Sequence, residues 1–209
     1  MKTKLNSEFK WHILLGIFVI ISLFPIIFAI SSSFKSLGEA YNNVLGIIPN
    51  EPTLNNYIEV FKRLPFVNIT GNTFFIATMV TLFKVTTSVL AAYAFVYFDF
   101  KYKNILYFIM ISTIFIPFTV TMIPNYLTIS QLGLRDSLWG VILPQLSDAT
   151  GIFLLRQSMR TIPKSLIEVT ELENINHFKR MRDIIVPMVK PSIISTGIMF
   201  FINSWNEYV

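Results

Sequence analysis

An all-α protein embedded in a membrane is the fold class this sequence predicts, on three observations. Of its 209 residues, 53% are hydrophobic and 15% aromatic while 14% are charged, a composition more apolar and less charged than that of a soluble domain. Several apolar runs reach the roughly 20 residues needed to cross hydrocarbon, beyond the roughly 10 to 14 of a core helix. The lysines and arginines fall between those runs and favour alternate loops, as a multi-pass topology requires.

The elements follow in order. Residues 11–31 form a nearly unbroken apolar stretch behind a head containing Lys2, Lys4 and Lys10, which predicts a first span. Ala29-Ile30-Ser31 also resembles a signal-peptide cleavage site, but the run exceeds the usual hydrophobic region of such peptides, which favours an uncleaved helix. Residues 35–68 are polar and carry Pro49, Pro52 and Pro65, predicting a loop with one short helix near 54–63. Apolar segments at 69–98, 105–124, 138–158 and 188–209 complete five spans. Pro25, Pro117, Pro124 and Pro144 lie inside spans and predict kinks, which neighbouring helices make tolerable.

Charge sets the orientation. With the N-terminus inside, the cytoplasmic loops collect Lys2, Lys4, Lys10, Lys101, Lys103, Arg156, Arg160, Lys164, Lys179, Arg180, Arg182 and Lys190. The outer loops hold only Lys35, Lys62, Arg63 and Arg135, and Lys84 lies within a span. Basic residues are retained on the cytoplasmic side, so the N-terminus is expected inside. The fifth span would then reach the outer face at Tyr208-Val209 with no basic anchor after it, which reads as a C-terminally truncated 1–209 transmembrane domain lacking a sixth span.

The same sequence excludes several chemistries. Without cysteine there is no disulfide framework, thiolate nucleophile or cysteine-ligated metal. His12 and His177 are far apart, so no metal site and no cofactor are expected. The net charge of +5 is spread over loops rather than gathered with stacking aromatics, which argues against nucleic acid. No G-x-x-x-x-G-K, H-E-x-x-H or G-x-S-x-G pattern occurs, so neither an ATP-binding loop of the chain's own nor a membrane-embedded enzyme is expected.

The most informative segment is 160–191, polar and lying between two spans. From Ser165, Leu166, Val169, Leu172, Ile175 and Phe178 recur at three-residue spacing while Glu168, Glu171 and Glu173 take other faces, which predicts a short amphipathic helix. Ser165 stands three residues before Glu168, the capping-box spacing. Asn174 suits the left-handed conformation at a helix end, and a second helix would begin near Asn176 with Phe178 packing inward.

These residues resemble the EAA loop of the permease subunits of binding-protein-dependent ABC importers: Glu168-Val169-Thr170, Glu173-Asn174-Ile175, Phe178, Ile185-Val186-Pro187 and Pro191. The spacing matches better than the identities, since the family's alanines, aspartate and glycine are replaced by Val169, Thr170, Glu173 and Asn174. Pro163-Lys164-Ser165-Leu166, Gly133 to Trp139 with Pro144, and Asn203-Ser204-Trp205-Asn206-Glu207-Tyr208 are similar to the carbohydrate branch, of maltose or glycerol-3-phosphate type. Together the resemblance covers most of residues 70–209.

The resemblance implies a type I ABC importer permease-like helical bundle in a bacterial cytoplasmic membrane. It implies that 160–191 carries a coupling helix docking on a cytoplasmic ATPase dimer through Leu166, Glu168, Val169, Leu172, Glu173, Asn174 and Phe178. It also implies a second homologous permease subunit, an extracytoplasmic solute-binding protein and a carbohydrate or sugar-phosphate solute. A plain interfacial helix offering Lys179, Arg180 and Arg182 to lipid phosphates is the alternative for this segment.

Polar residues within spans complete the reading. Asn203, Asn206 and Glu207 fall at i, i+3 and i+4, one helix face that would line a solute path or bond a neighbouring helix. Lys84, on a face with Thr81 and Ser88, would point into the bundle, either to attract an anionic solute or to pair with a carboxylate such as Glu207. A different class, a secondary transporter with Lys84 and Glu207 carrying coupling ions, would depend on an ion gradient.

Overall fold

A computed structural model describes residues 2–207, with side chains from residue 9. The Lys2 and Lys4 side chains and the Tyr208-Val209 end, both used above, lie outside the described residues. No strand occurs among the described residues, and the chain divides into two compact units, Met1–Asn68 and Ile69–Val209.

In the first unit, Lys2–Ser33 is one helix, α1, which passes through Pro25 without ending. The most apolar 18-residue stretch of its Phe9–Ser33 portion has a mean hydropathy of 3.0 and is apolar on every side, as hydrocarbon surroundings favour. The polar segment after it is more ordered than a loop. Leu37–Asn42 forms α2, capped by the Ser36 hydroxyl accepting from the Glu39 N–H at 3.3 Å, and Asn55–Arg63 forms the expected short helix α3.

Lys35, expected in an exposed loop, is 1% exposed. Its ammonium donates to the carbonyls of Asn43 at 2.9 Å and Gly46 at 2.5 Å and lies 5.6 Å from the Phe28 ring centroid. The Asn56 amide donates to the carbonyls of Ser33 and Lys35, both at 2.8 Å. A buried ammonium is tolerated because backbone oxygens replace its water.

Phe66–Tyr97 is a single 32-residue helix, α4. The three remaining apolar segments, expected as spans with proline kinks, are broken more sharply than kinked helices. Lys103–Ser112 (α5) continues through a 3₁₀ turn at Thr113–Phe115 and meets Phe118–Gln131 (α6) at 100°. Pro117 is the cause: a residue before proline is driven out of the helical region, and Ile116 adopts ψ 115°.

Leu138–Ile142 (α7) with its 3₁₀ turn Leu143–Gln145 meets Ala149–Arg160 (α8) at 45°. Pro144 lies in that turn, and the Asp148 carboxylate caps α8 by accepting from the Gly151 N–H at 3.1 Å. Beyond come Lys164–Leu172 (α9), His177–Arg180 (α10), a π-helical turn at Met181–Ile185, Val186–Met188 (α11) and Lys190–Trp205 (α12). A 78° bend separates the helical run His177–Met188 from α12, and Pro187 and Pro191 flank it. Among the described residues, two helices are long and apolar enough to cross a membrane alone, or up to five spans if each bent pair counts as one.

The main core of the second unit joins Ala92 and Tyr93 of α4, Leu155 and Met159 of α8, and Ile162, Ile185 and Val189 of the segment that follows. A second contact fixes the helices higher up. A Cβ on Gly151 would stand 2.4 Å from the Phe200 ring and 2.6 Å from the Ser88 hydroxyl, so α8 reaches α4 and α12 only because no side chain is there.

Candidate functional site

The 160–191 segment folds as helix, turn, helix. α9 ends in a paired-bond cap: Asn174 takes φ 53°, its N–H donates to the Glu171 carbonyl, and the Ile175 N–H donates to the Thr170 carbonyl, both at 3.0 Å. This is a Schellman arrangement, with asparagine supplying the left-handed residue that glycine usually supplies. The Asn176 side chain then caps the next helix, accepting from the Lys179 N–H at 2.8 Å.

Three details differ from the sequence reading. The expected capping box is not made: α9 starts at Lys164, Pro163 takes the N-cap place without a side-chain bond, and Ser165 is already inside the helix. Proline's fixed φ starts the helix one residue earlier than serine capping would. Leu166 does not share an outward face with Val169 and Leu172. It packs on the core beside Ile167, while Thr170 between them is buried and bonds back to the Ile167 carbonyl.

Phe178, expected inward, is 66% exposed, alongside Leu172 at 83% and Val169 at 49%. Glu168, Glu173 and Asn174 are exposed as well. The result is a two-faced element whose outer face presents apolar side chains between carboxylates.

Its inner face is fastened to the transmembrane core by polar contacts. The Tyr93 hydroxyl lies 3.1 Å from His177 Nδ1 and donates to the His177 carbonyl at 3.2 Å. The Tyr97 hydroxyl donates to the Met159 carbonyl at 3.1 Å. Arg180 is 3% exposed and donates to Glu171 at 3.2 Å, tying α10 to α9. Arg182 forks onto Asp183 at 2.6 and 3.0 Å, which holds that carboxyl below its ordinary range. Of the three basic residues of the interfacial alternative, Arg180 is turned inward while Lys179 and Arg182 stay exposed.

The intramembrane residues sort differently from expectation. Lys84 approaches Asp148 at 3.9 Å and donates to the Gln145 side-chain amide oxygen, Oε1, at 3.5 Å, and its ammonium is 5.5 Å from the Phe200 ring centroid. Its carboxylate partner is therefore Asp148, not Glu207. The Thr87 hydroxyl donates to the Leu146 carbonyl at 3.0 Å across the same contact, and the hydroxyls of Thr78, Thr81 and Ser88 on α4 and Ser204 on α12 are buried without a hydrogen bond.

Asn203, Asn206 and Glu207 do not share one helix face. α12 ends at Trp205 and Asn206 is its cap, with its amide donating to the Ile202 carbonyl at 2.8 Å, so Glu207 lies past the helix. The buried stripe of α12 is instead Thr196, Phe200 and Ser204. Among the described residues no group of three or more His, Cys, Asp or Glu side chains is placed to hold a metal ion.

Residues 84–209 match the family described as the binding-protein-dependent transport system inner membrane component. The chain belongs to that family. The sn-glycerol-3-phosphate transport system permease protein UgpE of Rhizobium meliloti (strain 1021) is 32% identical over 210 residues, covering 97% of this chain and 74% of that protein. Its counterpart in Agrobacterium fabrum (strain C58 / ATCC 33970) is 30% identical, with 95% and 73% covered. Among solved structures, a bacterial ABC transporter involved in the import of the acidic polysaccharide alginate superposes with a TM-score of 0.86 at 25% identity, covering all of this chain and 74% of that one.

The chain is thus an inner-membrane permease component of an ABC importer, a transport protein rather than an enzyme, and the ion-gradient alternative has no support. In this permease, Asp148 and Gln145 are the polar residues that sequence reasoning missed. Both sit within 138–158, read as one apolar span, where a carboxylate is costly enough to signal function or pairing. That Asp148 stands three residues before Gly151 is also an N-cap spacing, and taking it as one would have located the break.

Proposed function

We propose that this permease passes a carbohydrate or sugar-phosphate solute, glycerol 3-phosphate first among them, from an extracytoplasmic solute-binding protein into the cytoplasm. It works with a second homologous permease subunit and is driven by a cytoplasmic ATPase dimer that docks on the 160–191 segment. The observation that carries this reading is the two-faced α9–α10 element: Val169, Leu172 and Phe178 exposed beside Glu168 and Glu173, on a scaffold tied to α4 and α8.

A helix held this way moves as a body with the transmembrane core, which a force-transmitting contact needs. Leu166 supports the outer face from beneath, and Asn174 sets the angle between the two helices. The names of the glycerol-3-phosphate relatives support the solute class. Lys84 would offer its ammonium to a phosphate group, with Asn203, Asn206 and Glu207 near the outer end of α12 as further polar contacts along the path.

Co-purification with the ATPase tests the coupling reading. Glu168→Lys with Leu172→Asp should reduce ATPase retention at least tenfold while the permease stays monodisperse, and equal retention would overturn the docking assignment. Uptake by Lys84→Met tests the solute role. Loss for glycerol 3-phosphate with uptake of a neutral sugar unchanged supports an anion contact, whereas equal effects on both remove it.

A further inference from the structure

A cleft of about 1310 Å³ opens at the cytoplasmic end of the second unit and, Glu168 apart, has no part in the reading above. One wall is the turn from α4 to α5. The other is the end of α8 with the side of α9 on which Lys164, Ile167, Glu168 and Glu171 follow at helical spacing.

Internal pairing decides its charge. Lys103 is engaged by the Phe98 carbonyl at 2.6 Å and by Asp99 at 3.5 Å, and Glu171 is engaged by Arg180 at 3.2 Å. The remaining charges on the walls are Lys101, Arg156, Arg160 and Lys164, against Glu168 alone.

Arg156 is the most developed of these. Its guanidinium carbon lies 3.9 Å from the Tyr107 ring centroid, and its Nε is buried without a hydrogen-bond partner. A guanidinium fixed over a ring keeps its in-plane N–H groups for an oxyanion. Phe95, Ile105, Met159 and Ile162 line the same cleft and give it an apolar floor.

The cleft lies where α4 ends at Tyr97, α5 begins at Lys103 and α8 ends at Arg160, the boundary between hydrocarbon and cytoplasm. Basic pockets between transmembrane helices on that side suit anionic lipid headgroups. We propose that this cleft binds the phosphate of an anionic phospholipid, with Arg156, Arg160 and Lys164 on the phosphate and the acyl chains against the apolar floor. A free phosphate ion would meet the same cations but make no use of that floor. The ATPase-facing residues Val169 and Leu172 do not line the cleft, and of the docking residues Glu168 alone is shared with it, so lipid and ATPase can be bound together.

Native mass spectrometry of the full permease, released from nanodiscs of equal phosphatidylglycerol and phosphatidylcholine, tests this. Wild type should keep phosphatidylglycerol at least fivefold over phosphatidylcholine, and Arg160→Gln with Lys164→Gln should cut that retention by about tenfold. This pair is exposed and leaves the Arg156–Tyr107 stack in place, so the fold survives the change, while Lys179→Gln should have no effect. Equal retention of the two lipids, or unchanged retention in the double variant, overturns the proposal. Displacement of the lipid by millimolar inorganic phosphate overturns it in favour of a soluble-anion site.

Discussion

Asn174 sits at φ 53° in a turn whose two backbone bonds close α9, and this single dihedral sets where Phe178 emerges. A left-handed conformation costs a residue with a Cβ about 1 to 2 kcal/mol, less for asparagine and least for glycine. Asn174→Val is therefore expected to lower the stability of the loop by about 1 to 2 kcal/mol and Asn174→Gly to leave it equal or better. Thermal unfolding of the detergent-solubilised permease would check both. This residue was legible in the sequence because its conformation is a local property. The partner of Lys84 was not, since α4 meets Asp148 only through the break between α7 and α8 that brings the α8 cap to it. A double-mutant cycle of Lys84→Met and Asp148→Asn should give a coupling of about 0.5 to 1 kcal/mol. Purely additive effects would mean that the 3.9 Å approach contributes nothing.

Elements explain what periodicity missed. The three-residue recurrence of Leu166, Val169 and Leu172 identified α9 as a helix, but three-residue steps drift around a helix of 3.6 residues per turn. Leu166 consequently turns to the core while Leu172 turns to solvent. Phe178 was read as packing inward because it continues the apolar series, yet in the short helix capped by Asn176 it is Arg180 that is buried, and Phe178 stays outside. Asn176→Ala should cost about 1 kcal/mol by loss of the cap, seen as a lower melting temperature. Phe178→Ala should leave melting within about 0.5 kcal/mol, as an exposed position allows, yet weaken ATPase retention. A Phe178→Ala variant that melts early with ATPase binding intact would assign the side chain to packing instead. The breaks at Pro117 and Pro144 were anticipated as kinks, but their angles, 100° and 45°, depend on neighbouring helices and could not be read locally.

At the scale of the molecule, composition and run length were enough for an all-α membrane protein, because hydrocarbon admits few other solutions. The packing of α4, α8 and α12 was invisible, since it depends on a missing side chain at Gly151. Gly151→Val should push Phe200 and Ser88 aside, cost about 1 to 3 kcal/mol and reduce uptake, and normal melting and uptake would show that the helices part without penalty. The bent helix pairs also bear on how the chain is made. Phe9–Ser33 and α4 are long and apolar enough to leave the translocon singly as they are synthesised. The three bent pairs are interrupted at 116–117, 146–148 and 189, and the helical bonding lost there must be made up by neighbouring protein, since lipid cannot supply it. Those segments must wait beside helices already inserted, so membrane entry and tertiary packing are one event for most of this permease. Its biogenesis is thus sensitive to synthesis order and insertase assistance in a way that a bundle of straight spans would not be.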